Sequence, residues 1–194
     1  MLRGAAALFA ASEQVSRAEW RTYVETLHLD ESLPGIQGTG FVLMIRARDK
    51  AEHEHSVRAE GFPAYAIHPP GERAPYSSIV YLEPFSGRNL RAFGYDMYSE
   101  PVRRDVMERA RDTGELSLSA KITLVQETES DVQPGFLMYL PIYRNGMARG
   151  SVAERRAALL GFVFSPFRAH DLMRGVFGDS NQDIEIELFD REPL

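Results

Sequence analysis

Short apolar runs of strand length, separated by glycine and proline, constrain the fold of this chain more than any other feature. The runs span residues 41–45, 65–68, 78–83, 116–120, 121–126, 135–143, 159–164 and 184–189. They are rich in branched and aromatic residues, which suit a pleated sheet, and breakers such as Pro69-Pro70-Gly71 lie between them. The chain is therefore predicted to be built largely from β-strands that turns separate.

Helical patterns stand before and between these runs. Apolar residues recur every three or four positions through the first 30 residues, where Ser16-Arg17-Ala18-Glu19 can form a capping box. Further helices are predicted over about 48–60, from Ser99 to Gly114, and from 165 to about 176. Together these patterns predict an α+β fold with an N-terminal helical segment.

A change in composition suggests how the chain is divided. The stretch 145–154 is polar and contains glycine, and a new series of predicted elements begins after it. We therefore expect a helical stalk remnant and connector at 1–35, a first module at 36–150, and a second, partial module at 151–194. The opening residues resemble a signal peptide only superficially, so the sequence is expected to begin inside a longer chain.

Composition and charge exclude several classes of function. The formal net charge of -6 opposes attraction to phosphates, so DNA and RNA are not expected partners. The chain has no cysteine, which excludes disulfides and sulfur-ligated metals but is compatible with cytoplasm and periplasm alike. No run approaches the roughly 18 apolar residues that a membrane-spanning helix requires.

The sequence carries no motif for enzymatic chemistry. Neither a Gly-x-Ser-x-Gly nucleophile elbow nor a phosphate-binding loop is present. His53-Glu54-His55 suggests a metal site, but histidines two apart on a helix point in different directions, so a solvated charged face is the better interpretation. The acidic run 127–131 lacks the spacing of a calcium loop, and the arginines of 103–111 suit ion pairs along a helix. We expect no enzyme activity, cofactor or metal.

Six segments in a fixed order carry a resemblance to a known family. They are 78–84, 88–89, 94–99, 109–114, 135–143 and 160–164, and the third reads Gly94-Tyr95-Asp96-Met97-Tyr98-Ser99. This series resembles the CHASE family. The resemblance implies an extracytoplasmic sensor between two membrane helices, linked to a histidine kinase, a nucleotide cyclase or a cyclic-dinucleotide enzyme. It also implies a stalk helix and two PAS-like modules with antiparallel sheets, the membrane-distal one binding a small ligand.

The same resemblance implies a ligand site. In the similar plant cytokinin receptors, the aspartate of a Leu-Asp-Met-Met-Ser motif recognises the adenine ring, and that position matches Asp96. A carboxylate suits this task because its two oxygens can accept two donors from the edge of a heterocycle. The predicted ligand-binding residues are Asp96, Tyr81, Leu82, Leu118, Ala120, Leu124, Gln126, Gly135, Leu137 and Tyr139.

Two of these assignments have a plainer alternative. Asp96 lies three residues before Ser99, so it can instead accept backbone amides and stabilise the turn into the next helix. Strand alternation places Gly135, Leu137 and Tyr139 on one face, where the missing side chain of Gly135 leaves room for a flat ligand. The same positions can equally form a filled core.

Two classes of function remain open. The first is an extracytoplasmic, periplasmic-side sensor domain that binds a small molecule, with an adenine-type compound as one candidate, and signals to a cytoplasmic kinase or cyclase. The second is a structural or dimerisation module whose pocket is collapsed. The family resemblance also implies that the full-length protein is a homodimeric receptor anchored in the membrane. A matching ligand should raise the thermal stability of a sensor and leave that of a structural module unchanged.

Overall fold

A five-stranded antiparallel sheet organises the chain, which a computed structural model describes over residues 1–29, 35–128 and 132–178. The strands are β1 (Thr39–Ile45), β2 (Tyr76–Glu83), β3 (Ser117–Leu118), β4 (Gly135–Tyr143) and β5 (Leu159–Arg168). Their spatial order is β2-β1-β5-β4-β3, and each neighbouring pair is antiparallel. The sheet therefore joins strands that are far apart in sequence.

Strand β5 occupies the centre of the sheet. Phe164 lies opposite Gly40 of β1 on one side and opposite Tyr139 of β4 on the other. Residues 159–168 therefore lie in the same sheet as the strands before residue 150. The predicted strand 184–189 lies outside the described residues, so the second module stays a prediction.

Helices pack against both faces of the sheet. They are α1 (Leu2–Ala11), α2 (Arg17–Glu25), α3 (Lys50–Ala59), α4 (Pro101–Thr113), α5 (Val152–Ala158) and α6 (Ala169–Phe177). The predicted capping box opens α2: the Ser16 side chain accepts from the Glu19 amide, and Glu19 accepts from the Ser16 amide at 2.7 Å. The predicted α+β fold with an N-terminal helical segment is confirmed.

The sheet has two buried faces, which we call inner and outer. The inner face carries Leu82, Leu137 and Tyr139 and packs against α4. The outer face carries Phe41 and Val163 and packs against α1 and α2. Because successive residues of a strand point to opposite faces, each long strand contributes to both cores.

Helix α4 follows the predicted pattern with a change at its start. Its N-cap is Glu100 rather than Ser99, and the Glu100 carboxylate accepts hydrogen bonds from the amides of Val102 and Arg103 at 3.0 Å each. Gly114 ends the helix in the left-handed conformation, with φ of 79°, as a residue without a β-carbon does readily. The helix thus lies across the inner face with both ends fixed.

Two predicted strands are irregular in the structure. Residues 65–68 and 121–126 pair only through single bridges, to Tyr95 and to Gly135 respectively. Most of their backbone groups therefore bond outside a regular ladder. The helix predicted from residue 165 begins later, at Ala169, because residues 165–168 extend β5 against β4.

Candidate functional site

The inner face of the sheet, under α4, is where most of the predicted site residues meet. Leu137 and Tyr139 point to this face from β4, and their side chains are 2% and 0% exposed. The Tyr139 ring lies 6.3 Å from the ring of Phe162 and 6.2 Å from that of Phe164, measured between centroids. Leu82 of β2 belongs to the same buried cluster. These residues form the apolar floor of the candidate site.

Asp96 lies at the edge of this region and is completely buried. Its Oδ1 atom accepts hydrogen bonds from the Ser77 amide at 2.8 Å, the Ser77 hydroxyl at 3.0 Å and the Tyr98 amide at 3.1 Å. Its Oδ2 atom accepts from Nε of Arg73 at 2.6 Å. The carboxylate therefore caps the turn 97–99 and ties it to β2, so every one of these contacts is made by the chain itself.

Sequence reasoning did not find Arg73, the cation that balances Asp96. Arg73 belongs to the proline-rich turn before β2, and a short sequence pattern does not reveal which carboxylate a turn residue will meet. Its side chain also donates to the carbonyl oxygen of Pro69, so the turn and the Asp96 segment are fastened together. About a quarter of the Arg73 side chain is exposed, at 24%.

Three of the predicted ligand-binding residues lie outside the inner cluster. Tyr81 points to the outer face, where its hydroxyl donates to the Val15 carbonyl oxygen at 2.9 Å and its ring stacks near Trp20. Leu118 lies on the short edge strand β3 and is 49% exposed. Ala120, just after it, is half-buried. The structure does not bring these three side chains into contact with the buried inner cluster.

The space beside Gly135 is occupied by Leu124. A β-carbon added at Gly135 would lie 2.6 Å from Cγ of Leu124 and 2.9 Å from the carbonyl oxygen of Phe167. Leu124 is 2% exposed and Gln126 is 3% exposed, so both are buried in the interior of the protein. The missing side chain of Gly135 makes room for Leu124 in this structure.

Alanine at position 135 is expected to destabilise the fold by about 1–3 kcal/mol, because the added methyl group overpacks a filled region. Urea denaturation measures the change in the free energy of unfolding. Gly150→Ala is the matched control, since Gly150 is exposed and faces only a side-chain oxygen of Glu154 at 3.3 Å. A neutral Gly135→Ala variant would contradict this packing and indicate that space for a ligand exists.

Arg103 is a functional candidate that the sequence analysis assigned only to ion pairs along the helix, without predicting its burial. It is 4% exposed, Nη2 donates to the Thr123 carbonyl oxygen at 2.8 Å, and Nη1 lies 3.4 Å from Oε2 of Glu100. Within the described parts of the chain, its Nε has no hydrogen-bond partner. Its spacing in the sequence indicates this burial, because residue 103 lies three, four and seven positions before the buried Val106, Met107 and Ala110 and so on the same face of the helix.

Two buried tyrosines, Tyr139 near Arg103 and Tyr98 near Arg111, keep their hydroxyl groups protonated. Burial raises the pKa of Tyr98 to about 12 and raises that of Tyr139 well above its usual value, although the charge of Arg103 opposes the second shift. The Tyr139 hydroxyl donates only to the sulfur of Met97, at 3.4 Å. The Tyr98 hydroxyl makes no hydrogen bond of good geometry in the described residues, though Arg111 is near enough to lower its pKa. Both groups can act as donors at neutral pH.

A concave region lies on the outer face. It is an open groove of about 710 Å³, bordered by Leu43, Tyr81 and Leu160 of the sheet and by His53 of α3. Nε2 of His53 is 2.8 Å from the Tyr65 hydroxyl, and burial lowers the pKa of the ring. No cluster of three potential metal ligands occurs in residues 1–29, 35–128 or 132–178.

Comparison with known families agrees with the ordered motifs. The family model for the CHASE domain matches residues 13–194, nearly the whole chain. The chain therefore belongs to the CHASE family, whose members are extracellular sensor domains of membrane-bound signalling receptors and are not catalytic. No curated protein matches the sequence. Among the helices that the structure describes, none is long and apolar enough to cross a membrane.

Proposed function

We propose that this CHASE domain binds a small molecule on the inner face of its sheet, between β4, α4 and the segment 119–126. The observation that carries the proposal is a pair of buried polar side chains, Arg103 and Tyr139, at an otherwise apolar core. Buried polar groups normally find good partners, but in the described residues Nε of Arg103 has none and the Tyr139 hydroxyl has only a sulfur. A mostly apolar site with a few converging polar groups is typical of ligand pockets.

The wider role follows from the family. The sheet and its helices would form the PAS-like ligand-binding module predicted for 36–150, extended by β5. In the full-length receptor, a homodimer anchored in the membrane, this domain would lie on the periplasmic side and pass its signal to a cytoplasmic histidine kinase or cyclase. An adenine-type compound is the ligand candidate that the resemblance to cytokinin receptors suggests, with Asp96 as its contact. In the ligand-free arrangement, Asp96 would have to give up a donor to make that contact.

One observation favours the second class, a structural or dimerisation module. The inner face is filled: Leu124 takes the space beside Gly135, and Tyr139 has no exposed surface. A sensor with this arrangement must open its core on binding, whereas a structural module keeps it closed. The two functions therefore differ in whether any compound moves the inner cluster.

A thermal-shift screen separates the two functions. The purified chain is tested against a metabolite library that contains adenine derivatives, because a ligand that binds only the folded state raises the melting temperature. Leucine methyl NMR then locates the bound compound. Shifts at Leu124 and Leu137 support the proposed site, and shifts confined to Leu43 and Leu160 place the compound in the outer groove instead. A library without any stabilising compound would favour the structural module.

A further inference from the structure

Nε of Arg103, which has no hydrogen-bond partner in the described residues, indicates which chemical group the inner-face site binds. The Arg103 side chain is 5% exposed, so bulk water does not compensate the missing hydrogen bond. Leaving a buried donor without an acceptor costs on the order of 1–3 kcal/mol, and more where the donor is charged. Its other two nitrogens are directed to Thr123 and Glu100, which fixes the plane of the group. A partner for Nε is therefore expected from outside the protein.

The hydroxyl of Tyr139 is a second donor in the same region. The Arg103 guanidinium carbon lies 5.4 Å from the centroid of the Tyr95 ring, and the charge of Arg103 acts on the Tyr139 hydroxyl. A thioether sulfur is a weak acceptor, so the Tyr139 hydroxyl can exchange its bond to Met97 for a better one at small cost. The Tyr98 hydroxyl, in contrast, lies near Arg111, Glu108 and Asp112 at the other end of α4 and is not part of this pair of donors. Among the described residues, neither Nε of Arg103 nor the Tyr139 hydroxyl thus has a good acceptor.

We infer that the ligand presents a neutral hydrogen-bond acceptor, a carbonyl oxygen or a ring nitrogen, to Nε of Arg103 and the hydroxyl of Tyr139. The inference rests on the proposed function and names the chemical class of its ligand. It reverses the polarity that the family resemblance implies, in which Asp96 accepts donors from the ligand. In this chain Asp96 already accepts hydrogen bonds from Arg73, Ser77 and Tyr98.

Charge balance distinguishes a neutral acceptor from an anion. Glu100 lies 3.4 Å from Arg103 and already offsets its positive charge. A carboxylate bound at Nε would add a second negative charge beside Glu100 in a poorly hydrated region, where like charges repel strongly. A carbonyl oxygen or ring nitrogen would satisfy the N–H group without that repulsion. Neutral acceptors are therefore expected to bind more tightly than anions of the same shape.

Three probes of similar shape and different polarity test this inference. Acetophenone is a neutral acceptor, benzoate is an anionic acceptor, and benzamidine is a cationic donor. Binding to the chain is followed by NMR titration up to millimolar concentrations. We expect acetophenone to shift the signals of Leu124 and Leu137 with an affinity at least tenfold higher than that of benzamidine, and benzoate to bind more weakly than acetophenone.

Variants of the two donors provide the second part of the test. Tyr139→Phe removes only a hydroxyl whose partner is a sulfur, so the fold should survive and acetophenone affinity should fall at least fivefold. Arg103→Lys keeps the positive charge but lacks the Nε–H group, and a loss of at least tenfold is expected. Arg104→Lys is the matched control, because Arg104 is exposed on the same helix, and it should leave binding unchanged. Tyr139→Phe alone decides the outcome if Arg103→Lys does not fold.

The possible results are distinguishable from failure of the proposed function. Tightest binding by benzamidine, or acetophenone binding that neither donor variant weakens, would overturn the inferred polarity. If none of the three probes binds, the inference is wrong and water is the partner of Arg103. The sensor function itself is tested by the metabolite screen. A stabilising ligand that binds the inner face equally well in the Arg103 and Tyr139 variants would support the sensor function and contradict the inferred class of ligand.

Discussion

Replacing Asp96 with alanine is expected to lower the free energy of unfolding by about 3 kcal/mol. The change removes the acceptor of hydrogen bonds from Ser77, Tyr98 and Arg73. The Tyr98 amide keeps the Ser77 hydroxyl as an acceptor, but the Ser77 amide and Nε of Arg73 lose a buried carboxylate. The loss should lie at the lower end of the range for a broken buried pair, because Arg73 is partly exposed and water can solvate it. Urea denaturation, monitored by circular dichroism, measures the effect.

Two further variants control for charge and for helix context. Asp96→Asn keeps one oxygen acceptor and loses the ion pair, so its free energy of unfolding should lie between that of the wild type and that of Asp96→Ala. Asp105→Ala, at an exposed position of α4, should change stability by less than about 0.5 kcal/mol. A wild-type stability for Asp96→Ala would show that the carboxylate is dispensable for the fold and free to serve a ligand.

The features that could be predicted from the sequence are local ones. The capping box at Ser16 needs only residues three apart, and the helix end at Gly114 needs only one residue without a β-carbon. The alternation that places Leu137 and Tyr139 on one face of β4 depends on the pleat alone. Each of these rests on interactions within one turn or one strand, where a sequence pattern and its structure are directly linked.

The features that could not be predicted depend on contacts between distant segments. Leu124 fills the space beside Gly135, and Arg73 pairs with Asp96. Neither the spacing of these residues in the sequence nor their type indicates that they would be in contact. The central position of β5 is of the same kind, since antiparallel order in a sheet follows from packing of the whole chain. Arg103 is different, because its position on the apolar stripe of α4 already indicated that it would be buried.

A buried ionic network connects the candidate site to the last described helix. Glu127, one residue after Gln126, accepts from Nε of Arg168 at 2.9 Å, and Nη1 of Arg168 donates to Asp171 of α6 at 2.6 Å. Movement of the segment 119–126 on ligand binding would therefore act directly on the end of β5 and the start of α6. Such a link is a physical route by which a site on the inner face could influence the chain that follows the sheet.

Glu127→Ala is accordingly expected to have the largest effect of the single substitutions considered, a loss of about 3–5 kcal/mol. The Glu127 and Arg168 side chains are only 3% and 6% exposed, and Nη1 of Arg88 lies 3.8 Å from Oε1 of Glu127. Removal of the Glu127 carboxylate therefore leaves the guanidinium groups of Arg168 and Arg88 without this counter-charge. Glu127→Gln keeps an acceptor and should lose less, and Glu115→Ala, at an exposed position, should be nearly neutral.

A double-mutant cycle shows whether this loss comes from the pair itself. If Glu127 and Arg168 stabilise the fold mainly through each other, the double variant Glu127→Ala/Arg168→Met should lose less stability than the sum of the two single variants, because neither member of the pair is left buried without the other. Additive losses would show that the two side chains act independently, through their separate contacts with Gln133 and Asp171. In that case the network would not couple the segment 119–126 to α6, and a signal from the inner face would have to travel through the strands alone.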